Sequence, residues 1–313
     1  MRKTALPPSM STRQMFGQTV TRLGEMHENL IVIDADISRS LYTGNFAQLF
    51  PERHINVGIA EQNQVGVAAG LALTGYLPLV CTYAVFASMR AIEQFRTSIC
   101  YPNLNVKIVA SHGGITPGND GATHQAIEDL GIMRTIPNVT IVAPCDAVSC
   151  DELVTQACAL DGPVYIRLTR DPLPHVYLPD ARDRIEIGKA VTLREGSDLT
   201  IFAIGDMVQW AIEAHDVLLN RGISARVVDM HTLKPLDRAA VVSAAKETSA
   251  IVTVEDHSIF CGLGSAIAET LVETIPVPLE RIGMPDTFGE SGPYERLLHK
   301  FGMSTDHICQ AAE

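Results

Sequence analysis

Short apolar runs alternate with amphipathic stretches along the chain, and this alternation predicts strands and helices in turn. LIVIDADIS from Leu30, residues 54–57, LPLVCTYAVF from Leu77, NVKIVASH from Asn105, VTIVAPCD from Val139 and GPVYIRLTR ending at Arg170 read as short, buried strands. Ser11 opens a helix, STRQMFGQTVTRLGEMHENL, whose Met15, Val20 and Leu23 fall near one face. A second helix opens at Glu61, residues 90–101 return to a helical pattern, and DAVSCDELVTQACAL gives another helix. Residues 171–184, DPLPHVYLPDARDR, hold three prolines and no periodicity, which marks a linker. A second cycle follows: DLTIFAIG, a helix through Trp210 to Asn220, SARVVDMHTLKPLD, a helix to Ser249, AIVTVED, a glycine-rich turn CGLGSAIAETL, and VPLERIGM. The pattern is α/β, with two doubly wound domains. The larger spans residues 1–180 with a mainly parallel sheet, and the smaller spans residues 185–313.

A length of 313 residues agrees with two domains, and 46% hydrophobic with 19% charged residues is the balance of a chain with a sizeable core. The net charge of −12 argues against a nucleic-acid or anionic-membrane surface, while leaving room for a local cationic pocket. Seven cysteines are scattered with no CxxC pair and no zinc spacing, a pattern of reduced compartments that points to the cytoplasm. No apolar core of signal-peptide length precedes the N-terminal prolines, so the first residues read as an arm leading into the helix. The uncharged run after Glu61 is broken by Gly66, Gly70, Gly75 and Pro78 and carries Gln62, Asn63 and Gln64, unlike a membrane span.

Within residues 56–75, NVGIAEQNQVGVAAGLALTG, Glu61 is the single formally charged residue between Arg53 and Arg90. So isolated a carboxylate is expected to be buried and to need a partner or a proton. It either caps a helix by facing the dipole or is tuned to exchange a proton in a cleft. Gly66 and Gly70, with Ala68, Ala69 and Ala72, form a small-residue face that suggests a tightly packed interface. Asp34, Asp36, Ser38 and Ser40 follow a strand end, where open α/β sheets keep ligands, though each could simply cap the next turn. Tyr83 and Phe86 arrive at the end of another strand, as core or as cofactor contacts. Arg13 in a first turn calls for an anionic partner.

The stretch SHGGITPGNDGATHQAIEDLGIMRTIPN carries four glycines and a proline over residues 112–121, which specify an irregular loop, with a helix-like pattern resuming at His124. His112, Asp120 and His124 on one glycine loop favour a site over three structural residues, while their spacing is too loose for a metal. GLGSAIAE is a weak dinucleotide fingerprint, lacking the third glycine. The chain has no GxxxxGK[ST] loop and no GDG with a downstream asparagine, the type of motif that supplies ligands to a diphosphate-bound magnesium ion.

VGIAEQN, TYAVF, the glycine loop, RLTR, DMHTLKPLD and EDHSIFCGLGSAIAE together resemble the C-terminal half of a transketolase, over essentially the whole chain, with the loop 120–125 the most specific element. The resemblance implies a pyrimidine-binding domain and a small C-terminal domain of a thiamine diphosphate enzyme. The N-terminal diphosphate-binding domain has no counterpart here, so the chain looks like one subunit of a split enzyme. It implies a partner N-terminal subunit carrying the diphosphate and Mg2+ ligands, with none on this chain, in an α2β2 heterotetramer. It further implies that Glu61 binds the aminopyrimidine nitrogen and promotes deprotonation of the thiazolium carbon, that Tyr83 and Phe86 pack on the ring, and that Asp36 lies near the cofactor. His112, Asp120 and His124 would contact substrate, with Glu61, His112 and His124 the catalytic set, and Arg13, Ser40, His112 and Arg170 would hold a substrate phosphate. Met89 in place of an aromatic and Ala122 in place of the commoner proline bear on ring packing and substrate identity, not on the class. The implied reaction is transfer of a two-carbon ketol unit from a ketose phosphate to an aldose through a carbanion-enamine. Three alternatives stand beside it. A 2-oxoacid dehydrogenase β subunit has the same domain order without this THQ loop, a deoxyxylulose-phosphate synthase is normally a single chain, and a non-catalytic subunit would not need these groups together.

Overall fold

The structure, a computed structural model, describes residues 9–178 and 181–313. The arm before Ser9 and residues 179–180 of the proline-rich stretch lie outside the described residues. The first helix, Thr12–Met26, starts where the sequence places it, because Ser11 and Gln14 form a reciprocal capping box. It leads into Leu30–Asp34, a strand buried at every position.

Seven strands form the first sheet, in the order Thr232–Lys234, Thr140–Val142, Val164–Arg167, Lys107–Ser111, Leu77–Tyr83, Leu30–Asp34 and His54–Asn56. All neighbours run parallel except the first pair. Helices cover both faces, so the strands alternate between two apolar clusters: Leu30 and Val32 belong to one, Ile31 and Ile33 to the other. Each fully buried large apolar side chain contributes about 1.5–3 kcal/mol relative to exposure, which is why both faces must be covered. The second sheet has the order Leu279–Met284, Ala250–Ser258, Leu199–Ala203, Ala225–Asp229 and Val191–Arg194, parallel but for the last. Both clusters run on into it, through Ile201 in one and Phe202 in the other. The chain is thus mixed α/β with two parallel-rich sheets.

Register decides which residues share the site. Asp34 pairs with Cys81, and Tyr83 pairs with Ser111, so the strand ends preceding Asp36, Phe86 and His112 open on one edge of the sheet. Ala110 pairs with Arg167, which brings residues 168–170 to that edge as well.

Several local expectations change. SARVVDMHTLKPLD splits between the sheets, and its Thr232–Lys234 completes the first sheet as an antiparallel edge. LPLVCTYAVF is a strand only to Tyr83, and Phe86 lies in the helix Ala84–Met89. Residues 90–101 stay helical, yet Phe95–Cys100 widens into a π-turn. The helix expected from His124 begins at Asp129, because Ala126 exchanges both backbone hydrogen bonds with Gly114 and is spent on bridging the loop. Within the proline-rich stretch, Leu173–Pro174 pairs with Ser9–Met10.

Candidate active site

The helix Glu61–Leu73 begins at Glu61, and its N-cap, Ala60, provides no side-chain acceptor. The Glu61 carboxylate is therefore placed at the positive end of the dipole, as the capping reading requires, and is also only 2% exposed, as the cleft reading requires. Its partner is Arg90, whose Nη1 lies 3.0 and 2.9 Å from the two carboxylate oxygens. Gln64, one turn on, is structural: its Nε2 donates to the carbonyls of Ile33 and Cys81 and ties the helix to the sheet.

Four rings gather beside this pair. Tyr83 lies 4.5 Å from His112 and 6.0 Å from both Phe86 and His124, all edge-on, and Phe86 is 5.5 Å from His124. The guanidinium carbon of Arg90 stands 4.2 Å from the Phe86 ring centre, which joins Glu61 to the rings. On the other side, the Tyr83 hydroxyl is 2.9 Å from Ser40 Oγ. The Ser40 carbonyl accepts from Arg13 Nη1 at 3.0 Å, while Arg13 Nε donates to the Arg170 carbonyl at 2.7 Å. Arg170 Nη1 donates to the Pro117 carbonyl at 2.5 Å and faces Asp120 at 3.7 Å. The fold thus brings Glu61, Phe86, Tyr83, His124, His112, Ser40, Arg13, Arg170 and Asp120 into one contiguous set.

Asp36 is not tied into that set by a hydrogen bond or ring contact. It lies exposed with φ of +65°, accepting from Asn56 Nδ2 at 3.1 Å. Asp34 resolves to the structural reading, accepting from Ile37 N, Ser38 Oγ and Thr43 Oγ1. Burial alone would raise its pKa, but the His54 ring 3.8 Å away and the hydrogen bonds from Ile37, Ser38 and Thr43 outweigh burial and lower it.

His112 is buried with its Nδ1 2.6 Å from Ser111 Oγ. Burial first, then the charges of Arg13 and Arg170 and the neighbouring His124, push its pKa from 6.5 down to about 3. The imidazole is therefore neutral at physiological pH and serves as a hydrogen-bonding group, not a cation. Nitrogen-detected NMR titration is expected to show no protonation of His112 between pH 8 and 5. In Arg13→Gln the pKa moves upward but stays below the ordinary value, because burial, the larger cause, is unchanged. The unfolded chain takes this proton near pH 6.5 and the folded chain only near 3. Stability attributable to His112 therefore falls as pH drops through that window, at most ~1.4 kcal/mol per pH unit.

The glycine loop is held from both α/β units. Asp256 accepts the Ile115 amide with both oxygens at 3.0 Å, and Arg167 donates to the Ala126 and Asp256 carbonyls while gripping Asp129 with Nε and Nη2 at 2.9 and 3.0 Å. The Tyr294 hydroxyl donates to Asp206 and lies 3.4 Å from Asp256. Burial, and then the facing Asp206 carboxyl, raise the Asp256 pKa well above the carboxylate range. Gln125 Nε2 donates to the Glu290 carbonyl, closing the far side of the loop. Sequence reasoning missed these supports. Their signal is faint, since Arg167 reads as part of the strand ending at Arg170 and Asp256 as an ordinary strand end. It also missed Arg90, which was visible as the charge that closes the uncharged run.

The glycine turn GLGSAIAE has a different use from phosphate binding. Glu255 accepts from the amides of Leu263 and Gly264 at 2.7 and 2.8 Å, so a carboxylate of this chain already fills that helix start. Among the described residues no group of three or more His, Cys, Asp or Glu is arranged to hold a metal ion, and no helix is long and apolar enough to cross a membrane.

The residues gathered on this edge are those through which the sequence resembles transketolases, and comparison with protein families gives the same answer in both sheets. Residues 8–175 match the transketolase pyrimidine binding domain and residues 188–308 the transketolase C-terminal domain. The chain belongs to the transketolase family. It is 44% identical to the putative transketolase C-terminal section of Methanocaldococcus jannaschii, covering 95% of this chain and 94% of that protein. It is 43% identical to a 6-deoxy-6-sulfo-D-fructose transketolase subunit of Clostridium sp. (strain MSTE9), covering 96% and 92%. A solved structure described as a split gene transketolase, inactive beta4 tetramer, superposes with a TM-score of 0.90 at 48% identity, covering 97% of each chain.

Proposed function

We propose that this chain is the pyrimidine-binding subunit of a split transketolase, moving a two-carbon ketol unit from a ketose phosphate to an aldose acceptor with thiamine diphosphate. The observation that carries the reading is Glu61, a buried carboxylate at a helix start that shares one contact path with Tyr83, Phe86, His112 and His124 and ends on two arginines. These residues fit the cofactor's aminopyrimidine: a planar cationic group, the Arg90 guanidinium, already meets Glu61 at one edge and Phe86 at its face. When bound, thiamine diphosphate supplies an electron sink for breaking a carbon–carbon bond beside a carbonyl.

The chain's own residues have separate tasks. Glu61 accepts a hydrogen bond from the ring nitrogen and stabilises its protonated form, an interaction strengthened by exclusion of water. Tyr83 and Phe86 pack the ring. His112, neutral and fixed through Nδ1 by Ser111, leaves Nε2 for the substrate, and His124 stands between the rings and the loop. Arg13, Ser40 and Arg170 hold the phosphate, and Asp120 beside Arg170 reads a sugar hydroxyl. Asp36 is assigned to the cofactor side on resemblance alone. Mg2+ and the diphosphate fall to an N-terminal partner subunit in an α2β2 assembly. The face of Gly66 and Gly70, where among the described residues no atom beyond the helix's own backbone and the chain neighbours comes within 4 Å of the position an added Cβ would take, is suited to contact between subunits. We place the boundary between the domains in residues 181–184, and the enzyme in the cytoplasm, in keeping with seven unpaired cysteines.

Purified alone, the chain is expected to show little or no ketol transfer. Mixed with an N-terminal subunit carrying the diphosphate and magnesium motif, it is expected to gain the activity. Robust turnover by the isolated chain, or a pair that decarboxylates 2-oxoacids and leaves ketoses untouched, overturns the reading.

A further inference from the structure

Arg90 occupies the space in which Glu61 and Phe86 face one another. Its Nη1 donates to both carboxylate oxygens, at 3.0 and 2.9 Å, and its guanidinium carbon stands 4.2 Å from the Phe86 ring centre. A flat group that donates to a buried carboxylate and lies against an aromatic ring is also the description of the aminopyrimidine assigned to this slot. Both cannot hold the same two contacts at once. We propose that Arg90 is a built-in occupant of the pyrimidine slot, satisfying Glu61 in the cofactor-free subunit and withdrawing as the cofactor enters. The inference rests on the proposed function.

The two partners differ in their freedom to let go. Glu61 is 2% exposed and fixed at the first position of a helix, so its carboxylate has no route to water. Arg90 has a side chain 45% exposed and stands where one short helix, Ala84–Met89, ends and the next, Ile92–Gln94, has yet to start. Its long side chain reaches the slot from the solvent side, and a guanidinium released there is rehydrated. Losing the pair is therefore cheap for Arg90 and costly for Glu61 unless another donor arrives. The arginine thus gives the buried Glu61 side chain a donor in a charge-poor pocket before assembly. It also lowers the apparent affinity for the cofactor, because only the fraction of molecules with an open slot can bind.

The test uses Arg90→Met, which keeps the bulk of the stem and removes the charge, and Arg90→Lys, which keeps the charge and loses the flat fork. Thiamine diphosphate with saturating Mg2+ is titrated calorimetrically into the cofactor-free pair of this chain and its partner. Arg90→Met is expected to bind about tenfold more tightly than wild type, with faster association, and Arg90→Lys to fall between. The isolated chain carrying Arg90→Met is expected to melt at a lower temperature than wild type, since Glu61 is left buried without a cation. Unchanged or weaker cofactor binding by Arg90→Met overturns the proposal, for Arg90 would then be a lasting partner of Glu61. Unchanged melting of the isolated chain overturns the pairing itself. A wild-type pair that binds no thiamine diphosphate overturns the functional reading, and that result is separable because the melting comparison needs no cofactor.

Discussion

Glu61→Gln is expected to lower ketol transfer by the reconstituted pair by about 10²- to 10⁴-fold, the usual contribution of a group that moves or holds a proton in the transition state. Glutamine has nearly the volume of glutamate and can still accept a hydrogen bond, so the substitution isolates the charge. The helix start is retained, because the first-turn residue contributes no backbone hydrogen bond through its side chain. Arg90 loses its anion, but at 45% exposure it turns to water at small cost. Steady-state ketol transfer and thermal melting are measured together. Activity within a few-fold of wild type sinks the assignment of Glu61, and a large fall in melting temperature shows that its role is structural.

Gly114→Ala is expected to destabilise the chain by about 3–5 kcal/mol, at the upper end of single substitutions, and to lower the melting temperature by roughly 5–10 °C. Two independent effects add. Gly114 has φ of +64°, a backbone region that costs any residue with a Cβ. An added Cβ would also stand 2.0 Å from Asp256 Oδ2 and 2.1 Å from its Cγ. Asp256 has nowhere to retreat, being buried and holding the Ile115 amide with both oxygens. Relief of the clash must move the loop that carries His112 and His124. Gly66→Ala is the control: among the described residues no atom beyond its own helix backbone and chain neighbours lies within 4 Å of its Cβ position, and alanine in a helix interior is favoured over glycine by about 0.5–1 kcal/mol. Calorimetric melting of both variants of the isolated chain checks the contrast. Equal melting temperatures would mean that the loop is not held as described.

The legible part of the site was the part with a one-dimensional signal. Glu61 stood out because no other charge lies near it in sequence, and the loop stood out because His112, Asp120 and His124 are crowded among glycines. Arg13 and Arg170 stand out by their positions at a helix start and a strand end, but nothing in the sequence brings them together. The contact of Arg13 Nε with the Arg170 carbonyl at 2.7 Å depends on the helix Thr12–Met26 and the end of the strand Val164–Arg167 meeting at one sheet edge. The glycines themselves signal turns in the sequence. Gly114 has a second reason that a sequence cannot show, the carboxyl group of Asp256 against its Cα, from a residue far along the chain.

The chain's periodicities and isolated charges specify the α/β alternation, the capped first helix, and the buried carboxylate, because those properties depend on residues close in sequence and on the cost of leaving a charge in an apolar run. The pairing of Glu61 with Arg90, the splitting of residues 224–237 between two sheets, the bond of Asp36 to Asn56 and the clamping of the glycine loop by Asp256 and Arg167 depend on strand register and on packing between distant segments. Register shifts by single residues reverse which side chains face a site, and local pattern is blind to such long-range choices. Glu61 therefore announced that it needed a partner, and only the folded chain could say that the partner is Arg90.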